Sequence, residues 1–206
     1  MFCGLIEKVS KVENITFNQN GANISFKADF ENVKIGDSIA VNGVCLTVVK
    51  IEKNLFSADI MNETLKISNL NNLKKADEIN LERAMKLSDR IDGHIVTGHI
   101  DCLGKVSKIT QDGFSKRIQF NCDSTLIVKK GSISINGVSL TVSNLFNDGF
   151  EVSLIPETLN KTNLKNLKIN DNVNIEYDIL GKYVQKMLNP KKESKITLEF
   201  LRENGF

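Results

Sequence analysis

The chain has 206 residues, with 27 Lys and Arg against 25 Asp and Glu, a formal charge of +2, 41% apolar and 25% charged residues. That length admits one large domain or two small ones of roughly 100 residues each, and the composition excludes disorder as the main state. The balanced charge gives no reason to expect nucleic acid or a membrane as partner, and no apolar run approaches the ~18 residues needed to span a bilayer.

Met1 to Lys11 has no apolar signal-peptide core and reads as structured sequence. Ser38 to Val41 and Val44 to Ile51 are rich in Val, Ile and Thr, with Asn42-Gly43 between them, a hairpin signal. Leu55 to Met61 reads as a further strand after the polar turn Lys53-Asn54. Glu63 to Leu73 reads as a helical turn, and Glu78 to Arg83 returns to strand. The pattern then recurs at the constant offset that carries Ser38 onto Ser132. Ser38-Ile39-Ala40-Val41-Asn42-Gly43-Val44-Cys45-Leu46-Thr47-Val48 becomes Ser132-Ile133-Ser134-Ile135-Asn136-Gly137-Val138-Ser139-Leu140-Thr141-Val142 without a gap. Glu63-Thr64-Leu65 falls on Glu157-Thr158-Leu159, and Gly4 on Gly98.

A period this long is the size of a whole small domain. The expectation is two tandem copies, residues 1–94 and 95–187, each a small closed barrel of short strands, which also leaves no exposed edge. A tail, residues 188–206, has no counterpart in the first copy. Ile179, Tyr183 and Met187 at spacing four predict an amphipathic helix beginning near 179 and ended by Pro190, with a second short helix over Ile196 to Leu201. An apolar helix outside the repeat suits an oligomer contact, the alternative being that it packs on its own barrel.

Ser38/Ser132, Asn42/Asn136, Thr47/Thr141 and Glu63-Thr64/Glu157-Thr158 are shared between the copies. Short hydroxyls and amides of this kind suit a polar planar ligand, although strand and turn chemistry also uses them. Cys45 against Ser139 and Leu5 against His99 are broken. The two histidines, His94 and His99, lie five apart; on a strand they face opposite sides, which argues against a shared metal. Cys3, Cys45, Cys102 and Cys122 have neither zinc nor disulfide-framework spacing, so reduced thiols and a cytoplasmic protein are expected.

Met1-Phe2-x-Gly4-Leu5-Ile6-Glu7, Asn42 to Val48, Gly93-His94-Ile95-Val96-Thr97-Gly98-His99-Ile100-Asp101, Gly137 to Val142 and Ile155-Pro156-Glu157-Thr158-Leu159 together resemble the riboflavin synthase family of the alpha-chain type. The resemblance implies an all-β fold, two six-stranded antiparallel Greek-key barrels followed by a C-terminal helix that assembles a homotrimer. It implies a transferase that dismutates two molecules of 6,7-dimethyl-8-ribityllumazine to riboflavin and 5-amino-6-ribitylamino-uracil, with no cofactor or metal. The site is expected between the first barrel of one subunit and the second barrel of a neighbour.

Carried over by position, substrate contacts are expected in the first barrel at Gly4, Leu5, Ile6, Ser38, Cys45, Leu46, Thr47, Asp59, Ile60, Met61, Asn62, Glu63 and Thr64. In the second they are expected at Gly98, His99, Ile100, Lys130, Ser139, Leu140, Thr141, Ser153, Leu154, Ile155, Pro156, Glu157 and Thr158. Ser139 and His99 lead the catalytic candidates, with Thr141 and Cys45 beside them. The family often has Thr where Cys3 stands and Asp where Asn136 stands; a neutral amide cannot accept a proton, which shifts acid-base expectations to Ser139, His99 and Asp178. The alternative reading is a non-catalytic lumazine- or flavin-binding antenna protein of the same fold.

Overall fold

The structure is a computed structural model describing residues 1–188 together with 202 and 205. Lys8–Asn18 (β1), Gly21–Lys27 (β2), Ser38–Val41 (β3), Val44–Glu52 (β4), Leu55–Met61 (β5) and Glu78–Arg83 (β6) close into one barrel in the order β1-β2-β5-β4-β3-β6. Cys102–Asp112 (β7), Ser115–Asn121 (β8), Ser132–Ile135 (β9), Val138–Phe146 (β10), Gly149–Leu154 (β11) and Asn172–Tyr177 (β12) close into a second with the same order. Every pairing is antiparallel. Closure is helped by bulges at equivalent places, Val12/Asn14 and Val48/Lys50 in one barrel, Val106/Lys108 and Val142/Asn144 in the other.

Alternation along the strands fills each barrel. In the first, Ile24, Phe26, Val48 and Phe56 are buried; in the second, Ile118, Phe120, Val142 and Phe150 take the matching places. Phe26 stacks on Phe56 at 6.2 Å and Phe120 on Phe150 at 5.4 Å, so the duplication extends to the packing of aromatic pairs. The expected helical turn after β5 is a short helix, Asn62–Ile67 (α1), followed by a 3-10 turn at Asn69–Asn72; Pro156–Lys161 (α2) and Asn163–Asn166 repeat it. A longer helix, Ile179–Leu188 (α3), follows β12. Pro190 and the helix expected at Ile196 to Leu201 lie outside the described residues.

The barrels meet across a pseudo-two-fold axis at their Asn-Gly turns. Asn42 and Gly43 both have positive φ, 47° and 79°, as do Asn136 and Gly137, at 46° and 81°, which are type I′ turns. A Cβ on Gly43 would lie 2.6 Å from the Gly137 nitrogen, so only glycine lets the two turns touch. Around them six asparagines form a buried network. Asn42 Oδ1 accepts from Asn80 N (2.9 Å) and Asn163 Nδ2 (3.0 Å); Asn136 Oδ1 accepts from Asn174 N (2.9 Å) and Asn69 Nδ2 (3.0 Å). Asn80 Nδ2 then donates to the Asn136 carbonyl and Asn174 Nδ2 to the Asn42 carbonyl. The shared Asn42/Asn136 pair therefore holds barrel to barrel. A carboxylate at 136 could accept the same two N–H groups but would bring a charge into a buried position, which the neutral amide of Asn136 avoids.

Candidate active site

Two short segments outside the barrels build the site. Residues 1–6 and 94–100 run beside one another, joined by an antiparallel bridge in which Phe2 N donates to the Val96 carbonyl (2.7 Å) and Val96 N to that of Phe2 (3.0 Å). Each is tied to the barrel of its own copy by one buried carboxylate. Glu82 on β6 accepts from Cys3 N (2.7 Å) and Gly4 N (3.1 Å); Glu176 on β12 accepts from Thr97 N (2.6 Å), Thr97 Oγ1 (2.8 Å) and Gly98 N (2.9 Å). Burial holds Glu82 above the ordinary carboxylate range, and burial with the Glu82 charge pushes the Cys3 thiol up to about 11.

Each segment then crosses to the other barrel. The Gly4 carbonyl accepts from Ser139 N on β10 (2.8 Å), and the Gly98 carbonyl accepts from Cys45 N on β4 (2.9 Å). Ile6 packs on the second core and Ile100 on the first. The expected grouping is thus corrected: Gly4, Leu5 and Ile6 adjoin Ser139, whereas Gly98, His99 and Ile100 adjoin Cys45. Gly4 and Gly98, at φ +77° and +84°, make the crossing possible, since a Cβ would meet the Ser139 Cβ at 2.6 Å or the Cys45 Cβ at 2.5 Å.

Outside each barrel, strand register sets a polar row. Ser38 pairs with Thr47, and Val48 opposite Ala58 puts Asp59 beside Thr47. Ser132 pairs with Thr141, and Val142 opposite Val152 puts Ser153 beside Thr141. Cys45, Thr47, Asp59 and Met61 alternate outward from the first barrel, and Ser139, Thr141, Ser153 and Ile155 from the second. The same alternation gives the side chains of Leu46, Ile60, Leu154 and Ile100 to the cores, with Leu140 half-buried against the second, leaving only their backbone for a ligand. Asp59 Oδ1 accepts from Asn23 Nδ2 (2.7 Å), Asn62 Nδ2 donates to the Gln19 carbonyl, and the Thr64 and Thr158 carbonyls accept from Ser68 and Thr162 hydroxyls. Glu63 is exposed on α1; Pro156 opens α2, on which Glu157 pairs with Lys161 at 2.7 Å. Lys130, exposed at φ 68°, donates its N–H to the Val142 carbonyl at the end of the second row.

The two histidines part company, though not because of a strand, since only Val96 of this stretch is bridged. His99 is exposed, with Nδ1 3.1 Å from Thr97 Oγ1. His94 is 8% exposed, its Nδ1 2.7 Å from Ser139 Oγ, and burial lowers its pKa. His94 is the residue that sequence reasoning misses; its one signal is that it stands four residues before Gly98. Among the described residues no cluster of His, Cys, Asp or Glu could hold a metal, and no helix is long and apolar enough to cross a membrane.

The model of the lumazine binding domain matches twice, at residues 3–84 and 97–178. The chain belongs to the lumazine-binding family. Each match takes in one lumazine-binding barrel with the crossing glycine ahead of it. Over its whole length the chain is 43% identical to the riboflavin synthase of Actinobacillus pleuropneumoniae and 40% to that of Bacillus subtilis (strain 168), each relative covered in full. The solved structure of LumP complexed with riboflavin shares the lumazine-binding fold at a TM-score of 0.79 and 24% identity, covering 86% of this chain and 99% of LumP.

Proposed function

We propose that the chain is a riboflavin synthase, a transferase that moves a four-carbon unit between two molecules of 6,7-dimethyl-8-ribityllumazine and releases riboflavin and 5-amino-6-ribitylamino-uracil. The observation that carries this reading is the doubling of the site: two like rows of outward polar groups, each closed by a glycine segment, suit two like planar reactants. Full-length likeness to riboflavin synthases supports it. Holding both rings in register removes up to ~7–11 kcal/mol of a bimolecular barrier. What remains is loss of a proton from the C7 methyl of one ring and addition of a nucleophile at C7 of the other. Ser139 directs that addition in the second pocket. His99, exposed beside Cys45 and Thr47, passes protons in the first, while Thr141, Thr47 and Cys45 hold ring edges.

The two pockets meet when the first barrel of one subunit faces the second barrel of a neighbour in a homotrimer. Support comes from α3, where Leu180, Tyr183, Val184, Met187 and Leu188 form one stripe and are 54–76% exposed in the single chain. Four thiols free of disulfides fit the cytoplasm. The test is to mix the purified chain with the lumazine: riboflavin absorbance should grow. Ligand uptake without product would favour an antenna protein, and no uptake a β module without a ligand.

A further inference from the structure

Resting on that reading, we propose that His94 is a neutral positioning residue for Ser139, and that Ser139 acts as an aimed hydrogen-bond donor and not as the attacking nucleophile. His94 is held on both sides: its backbone N–H donates to the Cys3 carbonyl (3.3 Å), and its ring Nδ1 lies 2.7 Å from Ser139 Oγ. Its other ring nitrogen, Nε2, is buried and has no hydrogen-bond partner among the described residues. That orphan decides the proton count. A buried N–H without an acceptor is costly, whereas a bare ring lone pair among apolar atoms costs less. The proton therefore sits on Nδ1, which donates to Ser139 Oγ. An imidazolium would place an N–H on Nε2 with nothing to receive it, so His94 cannot readily take the serine proton and become charged. The charge of Asp178, just beyond β12, favours protonation, but burial outweighs it.

The consequence falls on Ser139. With Oγ already accepting from His94, the serine hydroxyl keeps its own hydrogen, and among the described residues no side chain other than His94 is hydrogen-bonded to it. The one thing left for it to do is donate that hydrogen into the pocket, toward a ring atom or toward the oxygen that adds at C7. Only one pocket has this device. Cys45 stands in the first copy where the second has Ser139, so the hydroxyl that His94 holds has no equivalent there. The two pockets are thus chemically unequal, and the one on the second barrel is the one that directs the addition.

Two readouts test this on the full chain. With only two histidines, ring-labelled protein gives a nitrogen NMR spectrum of two imidazoles, assigned by variants. The expectation is that His94 shows a protonated Nδ1 and a bare Nε2 and does not titrate from about pH 5.5 to 8.5, the range in which an unperturbed histidine changes charge. A proton on Nε2, or an imidazolium near neutrality, overturns the proposal whether or not the chain makes riboflavin. In turnover, His94→Ala should lower kcat roughly 10- to 100-fold with KM within about threefold, and His94→Asn, whose amide N–H can stand in for Nδ1–H, should recover most of it. His94→Asn as slow as His94→Ala, with loss of the acid limb of the kcat profile, would make His94 a base and sink the idea; unchanged kcat in a folded His94→Ala would do the same. If His94→Ala does not fold, His94→Asn compared with the wild type carries the test. A wild-type chain that forms no riboflavin refutes the functional reading instead, and the NMR result still stands on its own.

Discussion

Glu82 and Glu176 are carboxylates almost cut off from water, at 3% and 1% exposure, each tolerated because N–H groups of a crossing segment point at it. For Glu82 the burial cost exceeds what those donors return, so its pKa lies above the usual 4.5. The folded state then binds this proton more tightly than the unfolded chain does. The contribution of Glu82 to stability is complete below the unfolded pKa and is lost as pH rises through the folded one. Glu82→Gln cannot titrate and keeps one acceptor for the segment. The melting temperature of the wild type minus that of Glu82→Gln should therefore fall from about pH 4.5 to 8. Thermal melts across that range check it, and a difference that is flat or grows with pH would mean the donors win over burial.

Among the elements, the strands were legible and the crossing was not. Asn42-Gly43 and Asn136-Gly137 between Val- and Ile-rich runs announce β3–β4 and β9–β10; β3 spans the expected residues and β4 starts at the expected one, running one further, to Glu52. Gly4 and Gly98 were equally visible as a repeated pair, but the repeat says only that they are equivalent. Exchanging two equivalent segments between two equivalent barrels leaves every local signal unchanged, so sequence cannot tell which barrel each one joins. Contiguous runs such as Cys45-Leu46-Thr47 read alike as ligand contacts in sequence, whereas the period of two sends the side chain of Leu46 to the core. The crossing predicts an unequal effect. Gly98→Ala forces a side chain against Cys45 at φ +84°, at a cost above ~1 kcal/mol, and should push the segment off the first barrel. Titration calorimetry with the lumazine should then show about tenfold weaker binding at one of two sites, with the other unaltered. Loss at both sites, or at neither, would contradict the assignment of Gly98, His99 and Ile100 to the first pocket.

For the whole molecule, the polar groups divide between holding the barrels together and holding a ligand, and the sequence gives no sign of which does which. Asn42 and Asn136 looked as available as Thr47 and Thr141; only the long-range partners Asn69, Asn80, Asn163 and Asn174 show that the asparagines are already used. What that junction leaves open is the outer surface, where the proposed trimer would bring pockets of other chains. The stripe on α3 gathers exposed apolar side chains on one helical face, with Met187 at 76% and Val184 at 54% exposure. Placing two carboxylates there, Val184→Glu with Met187→Glu, touches neither barrel core and adds only solvated charge to a monomer, so folding should be preserved. In a trimer built on this face the same charges would be buried without partners, at a cost of several kcal/mol per ion. Sedimentation should then report a monomer that still binds lumazine and has lost most of its turnover, because each pocket is intact but no longer faces its complement. A variant that stays trimeric would move the interface elsewhere, and a monomer with undiminished kcat would show that one chain can bring the two rings together unaided.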